Sequence, residues 1–418
     1  MYRSLMLLAL FSCLNLFGLE FSDYDSGRDL PSDKVYPQGR IFPFTGYAPH
    51  NLDEITESGF TLGGLAYGTR VATLREECAK KGVPLIYIIK PKVNGEDITL
   101  KMLSDKDFKP DWASLKAYVA EEVKAASAKY PSIAWWYLTP EELRYWRANE
   151  FQYLKEIYQT IHEADSLKRP VWMYIPGHYQ LDALFRYTPY QDIIGKGMYV
   201  NYSKQTSSRV WVRWSSENQI EALKRDGNSS KFALCVPEMF QDQPDGKMEM
   251  IEPRVRHDVY LSLACGSRGV VIFSLARRRT MDNETHRHYF DAYKKIAGEL
   301  SGESCLGQVF LFGEKRNDIA GKVAAGTPEI TIRPIPGRDT EFTYPAVTMT
   351  ELLYRGARYL VIVNSAETET EYDISKIPAG VSAESIFDRQ QLDIANGQIK
   401  LNLKPLEAKI IKVELLKK

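Results

Sequence analysis

IAWWYLTPEE (133–142) and PVWMYIPGHY (170–179) are two apolar runs that bracket a stretch of helical character, Glu142 to Ala164. In that stretch Trp146, Leu154, Ile157, Tyr158 and Ile161 fall at helical spacing, which predicts one buried helix face. The apolar parts of the runs are about 4–8 residues long and do not alternate, as expected of parallel strands covered on both sides. Strand, covering helix and strand make one parallel crossover unit.

The same unit recurs on either side. RIFPFTGYAP (40–49), FTLGGLAYG (60–68) and VPLIYIIK (83–90) precede it; DIIGKGMYVNY (192–202), FALCVPEMF (232–240) and GVVIFSLARR (269–278) follow. Between them, Trp112, Leu115, Tyr118, Val119, Val123 and Ala126 predict a helix over 111–130, and Val255, Val259 and Leu263 one over 253–265. Eight strand–helix pairs over roughly 250 residues are the arithmetic of a (β/α)8 barrel. An open doubly wound sheet has fewer strands and commonly a glycine-rich phosphate loop, which the sequence lacks.

After about residue 303 the period changes to two. TMTELLY and ARYLVIVN flank Arg355-Gly356, LDIA and QIKLNL flank Asn396-Gly397, and AKIIKVELL supplies a last strand. Asn-Gly is a strong two-residue hairpin signal. The expected architecture is α/β: a TIM barrel (19–303) followed by a small C-terminal antiparallel β-sandwich (304–418), with a leader at 1–18. The leader is MYRSLMLLALFSCLNLFGLE, with Arg3 ahead of a short apolar core. It predicts a secreted or periplasmic protein, with lipidation at Cys13 as the variant and cleavage near Gly18 as the default. No later segment is long and apolar enough to span a membrane.

The 418 residues carry 54 Lys+Arg and 54 Asp+Glu, so the chain is formally neutral, which argues against a nucleic-acid partner held by a broad basic face. Its five cysteines match no metal spacing, and its six histidines form no paired ligand motif, so neither metal nor organic cofactor is expected. The unusual feature is the excess of 25 Tyr and 7 Trp. Such side chains have an apolar face and a polar handle, suited to sugar rings or wet interfaces.

In a barrel of this kind, chemistry sits at the C-terminal strand ends. Run four ends in Glu141-Glu142 and run seven in Pro237-Glu238. Two carboxylates over one barrel mouth are what glycosidic bond cleavage needs: one to protonate the departing oxygen, one to attack or to activate water. Tyr47, Trp135, Trp136, Tyr137, Tyr179, Tyr199 and Tyr202 fall near the same strand ends and are candidates to stack on sugar, with His178 to contact a hydroxyl. Lys90, Arg144 and Arg277 to Arg279 predict an electropositive mouth and hence an anionic, uronic or sulfated, glycan. Glu141 and Glu142 also stand at a helix start, where carboxylates are favoured for purely structural reasons, and a buried ion pair would account for Glu238.

Over about residues 40 to 300 the sequence resembles the retaining glycoside hydrolases of the clan A (β/α)8 barrels, the likeness resting on WWYLTPEEL and ALCVPEMF. The resemblance implies Glu141 as acid/base, with Glu142 as fallback, and Glu238 as nucleophile. It departs at Pro140, where Asn or Asp is usual, and at run eight, where IFSLARRR brings arginines in place of an aromatic. The expected activity is therefore hydrolysis of a polysaccharide or oligosaccharide by double displacement. A non-catalytic carbohydrate-binding barrel, a polysaccharide lyase and a structural envelope protein stay open on the residues alone.

Overall fold

The computed structural model describes residues 41–204, 208–302, 306–335 and 337–416. The leader, Cys13 and Cys305 lie outside the described residues. Seven barrel strands hydrogen-bond in parallel: β1 (Phe44–Gly46), β2 (Leu85–Ile89), β3 (Ile133–Leu138), β4 (Val171–Ile175), β5 (Ile193–Met198), β6 (Phe232–Pro237) and β7 (Val270–Ile272). β1 pairs with β7, and the order then runs back through β6, β5, β4 and β3 to β2.

Run two, expected as a strand, closes the gap between β1 and β2 without forming one. Thr61 N bonds to Phe44 O at 2.9 Å, Gly63 N to Pro84 O at 2.9 Å and Leu65 N to Gly46 O at 3.3 Å. Its Gly63-Gly64 pair explains the irregularity. Gly64 has φ +80°, and a Cβ there would meet the Gly46 carbonyl oxygen at 2.3 Å. Only glycine allows so close an approach of two backbones.

Helices cover the barrel where the apolar spacing requires. Trp112–Lys129 buries Leu115, Val119, Val123 and Ala126, and Asp111 caps it by accepting from the Ala113 and Ser114 amides. Ala148–Ala164 buries Leu154, Ile157 and Ile161, and Ile251–Cys265 is almost wholly buried. Two sets of buried side chains follow from strand alternation. Trp135, Tyr137, Trp172, Tyr174, Leu234 and Val236 fill the barrel interior. Trp136, Met173, Ala233 and Cys235 face outward, into the layer beneath the helices.

The C-terminal strands form an antiparallel six-stranded sheet and a three-stranded one. Leu360, Ile362, Ile411 and Val413 of the first pack on Tyr372, Ile374, Leu401 and Leu403 of the second, making a sandwich core. The expected hairpin is present: Val347–Tyr354 pairs with Ala357–Asn364, and Arg355 and Gly356 both have positive φ, as a primed turn requires. Asn396-Gly397 makes a second such turn, although LDIA contributes only a single bridge, Ala395 to Gln398.

The sandwich packs directly on the barrel. Thr350 Oγ1 donates to Ala264 O at 2.8 Å, and Trp211 Nε1 to Pro334 O at 3.1 Å. His257, buried in the barrel, meets Ser365 Oγ at 2.9 Å. Among the described residues no helix is long and apolar enough to cross a membrane. Cys78, Cys235 and Cys265 are free thiols.

Candidate active site

The loops after β3, β4, β5, β6 and β7 enclose a cavity of about 880 Å³ at the C-terminal end of the barrel. Its lining includes Glu141, Glu142, Tyr174, His178, Tyr199, Tyr202, Lys204, Phe240 and Phe273, with Pro334 reaching in from the C-terminal region. Consecutive residues of an extended chain point to opposite sides. Here both glutamates line one cavity, because Glu142 adopts a left-handed backbone with φ +60°. A non-glycine residue in that region is uncommon and is often found at functional sites.

Glu141 sits in a nest of tyrosines. Tyr67 Oη donates to its Oε1 at 3.4 Å. Tyr137 also hydrogen-bonds to it and is itself bonded to Tyr47, hydroxyl to hydroxyl, at 2.8 Å. Burial holds the Glu141 carboxyl above the usual carboxylate range; the Tyr137 bond pulls it down and the Glu142 charge pushes it up. Glu142, more exposed, is also raised by burial, against the pull of Arg144. Burial likewise pushes the hydroxyls of Tyr67, Tyr137 and Tyr174 upward, so these groups stay protonated and act as hydrogen-bond donors.

Glu238 does not join them. It is 4% exposed and does not line the cavity. Its Oε1 accepts from Asn201 N at 2.5 Å and its Oε2 from Tyr202 N at 3.1 Å. Burial pushes its carboxyl up to about 7, opposed by the Asn201 amide and by Arg209. Arg209 in turn clasps Asp258, which is bonded to His257. The carboxylate thus pins the loop after β5 from beneath.

The other expected site residues divide. Tyr199, Tyr202 and His178 line the cavity; His178 is lowered by burial and then by the charge of Lys196, a buried amine bonded to Tyr179 O at 2.8 Å. Tyr47 and Tyr137 lie fully buried under its floor. Trp136 is turned the other way: one residue off in parity, it points under the helices and donates from Nε1 to Asp165 Oδ2 at 2.8 Å. Arg144 is spent on the buried Glu150, Nη2 to Oε1 at 2.5 Å, and Arg277 on Met281 O at 2.6 Å. Lys90, half-buried at the end of run three, is outside the lining.

Sequence reasoning missed Tyr67, Lys204, Phe240 and Phe273. Phe273 supplies an aromatic ring at run eight after all, packed 5.7 Å from Tyr199 with Arg278 5.1 Å above it. Tyr67 and Phe240 stand at the C-terminal ends of runs two and seven, and Phe273 follows directly on β7 within run eight, which is a usable signal. Pro334 carries none, since nothing in its neighbourhood marks contact with a barrel 120 residues earlier in the chain.

No protein-family model and no curated protein matches this sequence. Solved structures do match its fold. An α-amylase from Anoxybacillus superposes with a TM-score of 0.52 at 11% identity, covering 88% of this chain and 89% of that one. A GH27 β-L-arabinopyranosidase from Geobacillus stearothermophilus gives 0.53 at 10% identity, over 92% and 99%. A GH30 endoxylanase from Clostridium papyrosolvens gives 0.51 at 12% identity, over 90% and 97%. The chain shares their architecture, a (β/α)8 barrel followed by a small β-domain.

Proposed function

We propose that this protein is a glycoside hydrolase whose general acid is Glu141. The observation that carries the reading is a carboxyl group raised by burial, ringed by tyrosine hydroxyls, in a cavity at the catalytic end of a barrel. The solved structures of the same fold carry names of glycan-cleaving enzymes, which supports the substrate class.

In the proposed double displacement, Glu141 gives its proton to the departing glycosidic oxygen as the C1–O bond breaks. A carboxylate bonds to C1, and Glu141, now ionised, takes a proton from the water that releases the sugar. The cavity offers Glu142 as that second carboxylate. Glu238 takes the role only if it leaves the Asn201 and Tyr202 amides. Mechanism-based labelling with a 2-deoxy-2-fluoroglycosyl fluoride, followed by peptide mapping, separates them: label is expected on Glu142, and label on Glu238 would return the nucleophile to run seven.

A lyase would need a tyrosine or lysine poised as base, and Tyr67 and Tyr137 beside Glu141, like Tyr174 and Tyr199 in the cavity wall, are shifted the opposite way by burial. A binding protein on the same barrel is the second reading, favoured by the tied-off Glu238. Turnover of glycans by the parent chain, lost in Glu141→Gln with binding retained, decides for the enzyme. With Arg144 held by Glu150, Arg277 by Met281 O and Arg278 by Ser274 Oγ, and none of the three in the cavity lining, a preference for anionic sugars rests on Lys204. Secretion through the leader remains part of the proposal.

A further inference from the structure

Five of the seven tryptophans are buried to below 2% exposure and Trp112 is half-buried, but Trp146 is 55% exposed. Helical spacing places it on a buried face, yet the helix begins only at Ala148 and Trp146 stands in the turn before it. Leaving an indole in water forgoes a large apolar burial. The turn is nevertheless held fast: Tyr187 Oη donates to Leu143 O at 2.6 Å and accepts from Tyr145 N at 3.1 Å, and Arg144 N bonds to the buried Glu150 at 2.7 Å. The ring is braced by Tyr145 at 5.0 Å and Tyr179 at 5.9 Å. Tyr179 packs on His178 at 4.7 Å, and His178 lines the cavity. An aromatic wall therefore runs from the cavity out to an exposed, pre-set indole.

We propose that Trp146 is a second sugar-binding platform, so that the cavity takes one part of an oligosaccharide and Trp146 stacks a ring further along the same chain. This deepens the glycoside hydrolase reading and rests on it. A flat indole face packs best on a pyranose whose hydroxyls are all equatorial, leaving C–H bonds on its faces, so the ligand class is a gluco- or xylo-configured chain.

The test is binding to the Glu141→Gln protein, with and without Trp146→Ala, by calorimetry with cellohexaose and xylohexaose against cellobiose and xylobiose. Trp146→Ala is expected to weaken a hexasaccharide about tenfold and the matching disaccharide distinctly less, with loss of the tryptophan fluorescence change on hexasaccharide binding. Equal weakening of long and short ligands, no weakening, or no hexasaccharide binding before the Trp146 replacement would each overturn it. If the hexasaccharide effect appears while the parent chain hydrolyses nothing, the platform stands and the hydrolase reading falls. If the parent hydrolyses glycosides and Trp146→Ala has no length-dependent effect, the reverse holds.

Discussion

Glu238→Gln separates a residue that reacts from one that holds a loop. In the structure each carboxylate oxygen takes one backbone N–H, from Asn201 and from Tyr202. Glutamine is nearly isosteric but has one acceptor oxygen, so one of these amides is left facing an NH2 group. A buried donor without a partner costs about 1–3 kcal/mol. That cost falls on the loop whose Tyr202, 66% exposed, forms part of the cavity wall. If it is expressed in how that wall meets substrate, KM rises about 5- to 150-fold, with kcat on an activated aryl glycoside nearly unchanged. The replacement also removes a titration. Burial raises the folded-state carboxyl to about 7 from an ordinary 4.5, so the folded protein holds this proton more tightly than the unfolded chain. The stability it contributes is fully present below 4.5 and is lost as pH rises towards 7, at about 1.4 kcal/mol per unit. Denaturant unfolding from pH 4.5 to 8 should show that slope in the parent and lose it in Glu238→Gln. A fall of kcat by several orders of magnitude at constant KM would refute the reasoning and make Glu238 a nucleophile.

Other expectations follow from the same contacts. Tyr137→Phe removes a bond that lowers the Glu141 carboxyl; its pKa rises, and the alkaline limb of the kcat/KM profile, where the acid is lost, moves to higher pH. Trp136→Phe deprives the buried Asp165 of its Nε1 donor and should cost about 1.5–3 kcal/mol in urea unfolding while leaving glycan affinity untouched; weakened affinity would return Trp136 to the site. Lys204→Ala should lower kcat/KM on uronic or sulfated oligosaccharides more than on neutral ones, and equal losses would remove the anionic preference.

Eight runs and the helices between them were legible because burial on both faces writes itself as short apolar stretches, and a covering helix as three-and-four spacing. Run two misled because its apolar residues are real but Gly63-Gly64 bends the backbone out of strand geometry. At the site the limit was parity. Trp135, Trp136 and Tyr137 are equally apolar in sequence, and only the register of β3 sends Tyr137 to Glu141 and Trp136 beneath the helices. Trp146 was hidden for the opposite reason: its spacing fits the helix, and the chain turns two residues too late to bury it. The fate of the basic residues was equally unreadable, since the partners Glu150 and Met281 that occupy Arg144 and Arg277 belong to local folds that spacing does not specify.

The claim that Glu141 is the proton donor is tested most directly by its dependence on the leaving group. For Glu141→Gln, kcat/KM should fall little on a 2,4-dinitrophenyl glycoside, whose phenolate departs without help, and by about 10²–10⁴ on an unactivated glycoside of the same sugar. Equal losses across the series, or undiminished hydrolysis of the unactivated substrate, would contradict it.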